Sequence, residues 1–182
     1  VHEHVAFSPE GWESIAVGER GLASDAHGIL PRMAQTLTQL CVHLVFSTKG
    51  RTPWLDDALE AELVASMGGI ARNLKSPLVA AGIADDHVHL LLCQAKTITL
   101  ADLAMHIKKD SSKWVKSKRA DLRRFGWQDG YAGFGFSPPA LPALKRYLAG
   151  QRQHHRRFDF KAELRKLCKQ YDVEIDERYA WS

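Results

Sequence analysis

The chain has 182 residues, 45% apolar and 25% charged, an ordinary globular composition that argues against a disordered tail, a collagen-like repeat or a disulfide scaffold. Its three cysteines (Cys41, Cys93, Cys168) are an odd number without C-x-x-C spacing, so neither a disulfide framework nor a zinc ribbon is expected. The formal net charge of +4 is uneven: residues 1–32 carry −3, whereas residues 104–160, with 13 Lys/Arg and four Asp, carry +9. Such a basic block suits a polyanionic partner and equally a solvated helix face.

Residues 1–32 lack periodicity and are spotted with Gly, Pro and Ser; they read as a flexible N-terminal extension before a domain spanning 33–182. Alternation begins near residue 38, with Leu40, Val42, Leu44 and Phe46 on one face and Cys41, His43 and Val45 on the other, which predicts a strand. A basic loop, STKGRTPW, follows. Residues 55–74 carry a helical apolar stripe with Gly68-Gly69 as a weak point. Two strands, 77–83 and 87–94, flank the turn Ala84–Asp86 and predict a hairpin. Thr99 with Asp102 three residues on predicts a helix start, and the helical pattern runs to Arg119. A glycine-loosened strand at 130–137, a basic helix at 141–157 and a further helix near 161–171 complete the pattern.

Strand–helix–strand–strand–helix–strand is the ferredoxin-like split βαβ arrangement. The expected fold is therefore α+β, an antiparallel sheet with helices packed on one face, plus a C-terminal helix. No stretch approaches the ~18 apolar residues of a membrane span and no signal-peptide core opens the chain. A cytoplasmic protein without a membrane partner is expected.

Three features could carry chemistry. His87-Val88-His89 places two imidazoles on one strand face, with Val88 and Leu90 turned toward the core. Such a pair suits a divalent metal and equally suits two surface histidines on a half-exposed strand. Leu91 and Leu92 exclude the H-x-H-x-D-H metallohydrolase pattern. Tyr147 and Gln151, four apart on a helix, share a face that His154 and His155 continue. Four polar groups there are costly to bury without partners, so the face is solvated or aimed at something polar. The segment 108–119 interleaves bases with Ser111, Ser112 and Trp114, and Phe125, Trp127 and Tyr131 follow. Charge for a backbone and rings for exposed bases suit single-stranded nucleic acid, although Trp114 and Phe125 suit a core equally well. The candidate DNA contacts are Lys49, Arg51, Lys108, Lys109, Lys113, Trp114, Arg146 and Arg152. A zinc site joining Cys41 or Cys93 to the strand histidines is a further possibility, set against the tendency of thiols to be small buried hydrophobes.

The stretches HLVFSTKGR (43–51), DDHVHLLL (85–92), IKKDSSKWV (107–115), GWQDGYAGFGFS (126–137), YLAGQRQHHRRFDFKAEL (147–164) and DERYAW (176–181), in this order, resemble the single-tyrosine HUH transposases of the insertion-sequence 200/605 type. The adjacent histidines after Gln151 resemble a branch that includes repeat-associated tyrosine transposases. The resemblance does not reach residues 1–32. It implies a metal, Mg²⁺ or Mn²⁺, on His87, His89 and Gln151, with Tyr147 as the nucleophile. It also implies cleavage and rejoining of single-stranded, hairpin-containing DNA through a 5′-phosphotyrosine, by a homodimer that often exchanges the tyrosine helix. The alternative is a domesticated protein that grips structured single-stranded DNA with little or no cleavage.

Overall fold

The computed structural model describes residues 36–151 and 159–177; the expected N-terminal extension lies outside them. The chain divides into two units, Val1–Thr36 and Leu37–Ser182, and the architecture below belongs to the second. In chain order it comprises β1 (Leu40–Ser47), α1 (Asp57–Asn73), β2 (Leu78–Ile83), β3 (His87–Gln94), α2 (Leu100–Lys118), β4 (Ala132–Phe136), α3 (Leu141–Ala149) and α4 (Phe160–Gln170). Short 3₁₀ turns at Lys49–Arg51, Ala120–Arg124 and Pro138–Ala140 connect them.

The four strands form one antiparallel sheet in the order β2-β3-β1-β4, the split βαβ arrangement that the pattern predicts. Both main helices start on side-chain caps. Asp56 Oδ1 accepts from the Leu59 amide at 2.9 Å, and Thr99 Oγ1 accepts from the Asp102 amide at 3.0 Å, each satisfying an amide that the first turn leaves without a helical partner. Helix α1 runs unbroken through Gly68-Gly69 because Leu59, Leu63, Met67 and Ala71 form one buried stripe, and packing outweighs the ~1 kcal/mol propensity cost of each glycine. Strand β4 is shorter than 130–137. Helix α3 gives way to Gly150 at its C-cap; the rest of the expected 141–157 helix, residues 152–157, lies outside the described residues.

Period-two alternation divides the sheet by function. Leu44 and Phe46 of β1 and Val88, Leu90 and Leu92 of β3 face α1 and α2 in the main core, where each fully buried side chain contributes roughly 1.5–3 kcal/mol. On the opposite face, Leu144 and Leu148 of α3 pack on Leu91, and Phe160, Leu164 and Cys168 of α4 pack on Val45 and Phe134. Two helices thus cover the face that carries the histidines. No helix among the described residues is long and apolar enough to cross a membrane.

Candidate active site

His87 and His89 are fully buried, so the reading of two histidines on a half-exposed strand does not hold. Helices α3 and α4 close over them. His87 Nε2 lies 3.9 Å and His89 Nε2 3.4 Å from Glu163 Oε2, and the donor atoms of these three residues all lie within 4.8 Å of one another. Glu163 reaches the histidines because it shares the buried stripe of α4 with Phe160, Leu164 and Cys168. Phe160 lies over His87 with ring centroids 4.3 Å apart. Arg51 anchors the start of α4, since its guanidinium sits 5.0 Å over the Phe160 ring and bonds Asp159 at 3.3 Å and Asp86 at 2.9 and 3.0 Å.

Tyr147 and Gln151 arrive from the other side. Gln151 Nε2 donates to Glu163 Oε1 at 3.2 Å, and Gln151 Oε1 is buried without a hydrogen-bond partner among the described residues. The half-buried Tyr147 ring stands edge-on to His89 with centroids 6.1 Å apart. This approach depends on Gly82, which pairs with His89 across the β2–β3 ladder. A Cβ at position 82 would lie 2.6 Å from both Gln151 Cγ and the Leu148 carbonyl oxygen, closer than packed atoms tolerate. The missing side chain lets the end of α3 lie directly on the histidine strand.

Each histidine has a second partner. His87 Nδ1 donates to Asp86 Oδ1 at 2.7 Å, and His89 Nδ1 meets His43 Nε2 at 2.9 Å. Burial lowers the His87 pKa, opposed by the Asp86 hydrogen bond and charge. Burial also works to raise the Asp86 carboxyl, but His87 and Arg51 together hold it below the usual range. Burial alone pushes Glu163 up to about 7 and His43 down to about 4. His43 is therefore neutral at pH 7, and burial favours the neutral form of His87, the state in which a ring nitrogen can ligate.

Two imidazoles, a carboxylate and an amide oxygen with an unmet hydrogen-bonding capacity could hold a divalent ion, and this mixed nitrogen–oxygen set suits Mn²⁺ better than an all-oxygen Mg²⁺ cage. The cysteines do not join them. Cys41 and Cys93 sit opposite each other across β1 and β3, and among the described residues the metal-competent group is His87, His89 and Glu163. The thiol–histidine zinc site is therefore not formed.

The basic residues fall into distinct roles. Arg51 is committed to the ion pairs above. Lys108 is half-buried, and its ammonium donates to the Gln128 and Gly130 carbonyls at 2.5 and 2.6 Å, tying down the loop before β4. Lys49, Lys109, Lys113 and Arg146 are exposed, Lys113 beside Asp110 at 3.8 Å. Trp114 is half-buried against the main core, with the Lys118 ammonium 4.5 Å above its ring. Phe125 and Trp127 belong to that core, and Trp127 Nε1 donates to Ser111 Oγ at 2.9 Å. Thus Lys109, Lys113 and Trp114, all on α2, occupy the layer on the other side of the sheet from the histidines, whereas Arg146 shares α3 with Tyr147. Arg152, His154 and His155 lie outside the described residues. A cleft of about 620 Å³ opens between α3 and α4, lined by Phe136, Leu144, Tyr147, Glu163 and Lys166 among others.

Sequence reasoning missed Glu163, Gly82, Asp86 and His43. Glu163 left a signal: it falls three residues after Phe160 and one before Leu164, on the apolar stripe, where a carboxylate is out of place unless it serves a site.

The profile of the IS200-like transposase family matches residues 36–151. No curated protein sequence matches the chain. Among solved structures, a candidate transposase from Deinococcus radiodurans R1 is similar at 23% identity with a TM-score of 0.52, covering 68% of this chain and 98% of that one. A REP-associated tyrosine transposase bound to a REP hairpin is similar at 12% identity with a TM-score of 0.50, covering 69% of this chain and 74% of that one. At these identities the two structures establish a shared fold.

Proposed function

The chain belongs to the IS200-like transposase family, and from that premise we propose that it cleaves and rejoins single-stranded DNA with Tyr147 as the nucleophile. The substrate is hairpin-containing DNA, His87, His89 and Gln151 hold a divalent ion with Glu163 beside them, and the working unit is a homodimer. One observation carries the reading: a tyrosine on a short helix stands edge-on to a buried histidine whose own neighbours are a second histidine, a carboxylate and a glutamine.

A divalent ion held there supplies Lewis-acid polarisation of the scissile phosphate and lowers its charge. Tyr147 Oη attacks phosphorus in line, giving up its phenolic proton as the new P–O bond forms. The 3′-oxygen leaves, taking up a proton, and the 5′-phosphate stays on the tyrosine. Attack by another DNA 3′-OH reverses the step and frees Tyr147, so rejoining needs no nucleotide cofactor. A phenolate, with its reference pKa of ~10, leaves far more readily than a serine alkoxide in that second half. Asp86 and Arg51 orient His87, and Gly82 lets α3 reach the site.

Incubating the protein with a labelled hairpin oligonucleotide and Mn²⁺ or Mg²⁺ tests this. The expected result is a denaturant-resistant adduct that is absent from Tyr147→Phe. An adduct that persists in that variant removes Tyr147 as the nucleophile. Tight binding with no adduct under any metal supports the binding-only alternative.

A further inference from the structure

We propose that His43 is a positioning residue for the metal site: it shares one proton with His89, and loading the metal places that proton on His89 Nδ1, while His89 Nε2 gives up its own proton to solvent and His43 takes one from solvent at Nδ1. The inference rests on the metal-site reading above.

His43 lies on β1, 46 residues from His89 in sequence, and is fully buried. In the β1–β3 register it faces Leu91, with Val45 opposite His89, so it is the diagonal neighbour of His89 on the same sheet face. The two rings are stacked with centroids 5.1 Å apart and planes at 27°, and His43 Nε2 meets His89 Nδ1 at 2.9 Å. The rest of the His43 ring is walled by Phe134 and Phe136, at 6.2 and 5.9 Å between centroids. The chemistry of cleavage assigns this histidine no part.

One hydrogen bond between two neutral imidazoles holds one proton, and it can sit on either side. If His89 Nδ1 carries it, His43 Nε2 accepts, and His89 Nε2 presents a lone pair toward Glu163, as a metal ligand must. If His43 Nε2 carries it, His89 is protonated at Nε2 instead and faces Glu163 Oε2, 3.4 Å away, as a donor. The second arrangement sets an N–H beside a buried carboxylate when no ion is bound; the first is required once an ion is bound.

The contrast with His87 is what makes His89 the adjustable member. Asp86 is an ionised carboxylate and can only accept, so its 2.7 Å contact fixes the proton on His87 Nδ1. His43 can donate or accept, so its contact fixes nothing until the ion arrives. His43 Nδ1 is buried without a hydrogen-bond partner among the described residues. In the metal-free arrangement it is a bare acceptor; in the loaded one it becomes an N–H, the more costly group to leave unsatisfied.

The test uses the full chain and two readouts besides activity. Mn²⁺ binding is followed by loss of the free-ion EPR signal in wild type, His43→Phe and His87→Ala. Phe preserves ring volume among Phe134 and Phe136 but cannot exchange a proton. His43→Phe is expected to bind Mn²⁺ about 10–100-fold more weakly, the usual effect of removing an outer partner, and His87→Ala to lose binding. Independently, long-range ¹H–¹⁵N NMR of wild type is expected to find His89 protonated at Nε2 without metal and at Nδ1 with saturating Mg²⁺. That readout stands even if His43→Phe does not fold. Unchanged Mn²⁺ affinity in His43→Phe, or the same His89 tautomer with and without Mg²⁺, overturns the role of His43 and leaves the metal site intact. A wild type that binds neither ion overturns both.

Discussion

The two faces of the central sheet are built from the same strands and do opposite work. On β3, Val88, Leu90 and Leu92 point into a core closed by α1 and α2, while His87 and His89, one residue out of phase, point into a polar cluster closed by α3 and α4. The first face gains stability from burying apolar area. The second buries imidazoles, a carboxylate and an amide, groups that are costly to bury without mutual pairing or an ion. Neighbouring positions on one strand thus separate scaffold from chemistry, and substitutions at adjacent residues should have unlike consequences.

The sharpest comparison is between His89 and Leu90. His89→Ala should abolish adduct formation, a loss of more than about 10³-fold as expected for removing a ligand of the ion that would polarise the reacting phosphate, while the urea midpoint of the metal-free protein falls less than that of Leu90→Ala. Leu90→Ala should do the reverse. It should cost about 2–5 kcal/mol of unfolding free energy through the cavity it leaves, with the adduct rate of the folded fraction unchanged in single-turnover assays. Equal losses of stability in both variants would break the comparison.

Glu163→Gln should set the polar face against itself. The carboxyl is raised to about 7 by burial, above its value in the unfolded chain, so its stabilising contribution is full below about pH 4.5 and is lost as pH rises through 7. Chemical denaturation of metal-free protein should show this decline, about 3 kcal/mol, and the Gln variant should lack it. At pH 8 the metal-free variant should be the more stable protein and the weaker Mn²⁺ binder. A variant less stable at pH 8 would show that Glu163 is structural. Smaller still is Gly82→Ala, expected to cost about 1–3 kcal/mol through overpacking against the end of α3 and to slow adduct formation without altering DNA affinity. The smallest effect belongs to the layer beyond the apolar core. Lys109→Ala should lower the log–log salt slope of single-strand binding by about 0.7 if that lysine contacts a phosphate, and by nothing if it does not.

Much of this was legible in the sequence, and the reasons for the gaps are physical. Alternation located β1 and β3 and put the histidines on a shared face, because a strand's period is a local property. Helical spacing paired Tyr147 with Gln151 for the same reason. What covers the histidine face was not legible, since α3 and α4 dock through contacts between distant segments such as Leu91 with Leu144. Lys108 read as one base in a basic run, yet its ammonium is consumed by carbonyls 20 and 22 residues away. Glu163 could have been caught from its place on the apolar stripe, whereas Gly82 could not, because what matters there is an atom that is missing and a neighbour 69 positions away.

The pairing of Val45 with His89 and Ser47 with His87 has a consequence for how the molecule guards against its own misfolding. Slipping β3 by a single residue would turn both of its imidazoles into the apolar core and its Leu90 and Leu92 toward the carboxylate. Such a sheet would be penalised on both sides at once, so the chemistry of the site acts as proofreading for the strand alignment. An ion that binds the correctly aligned sheet selects that alignment further, which makes metal capture a reporter of native register as well as a step toward cutting DNA.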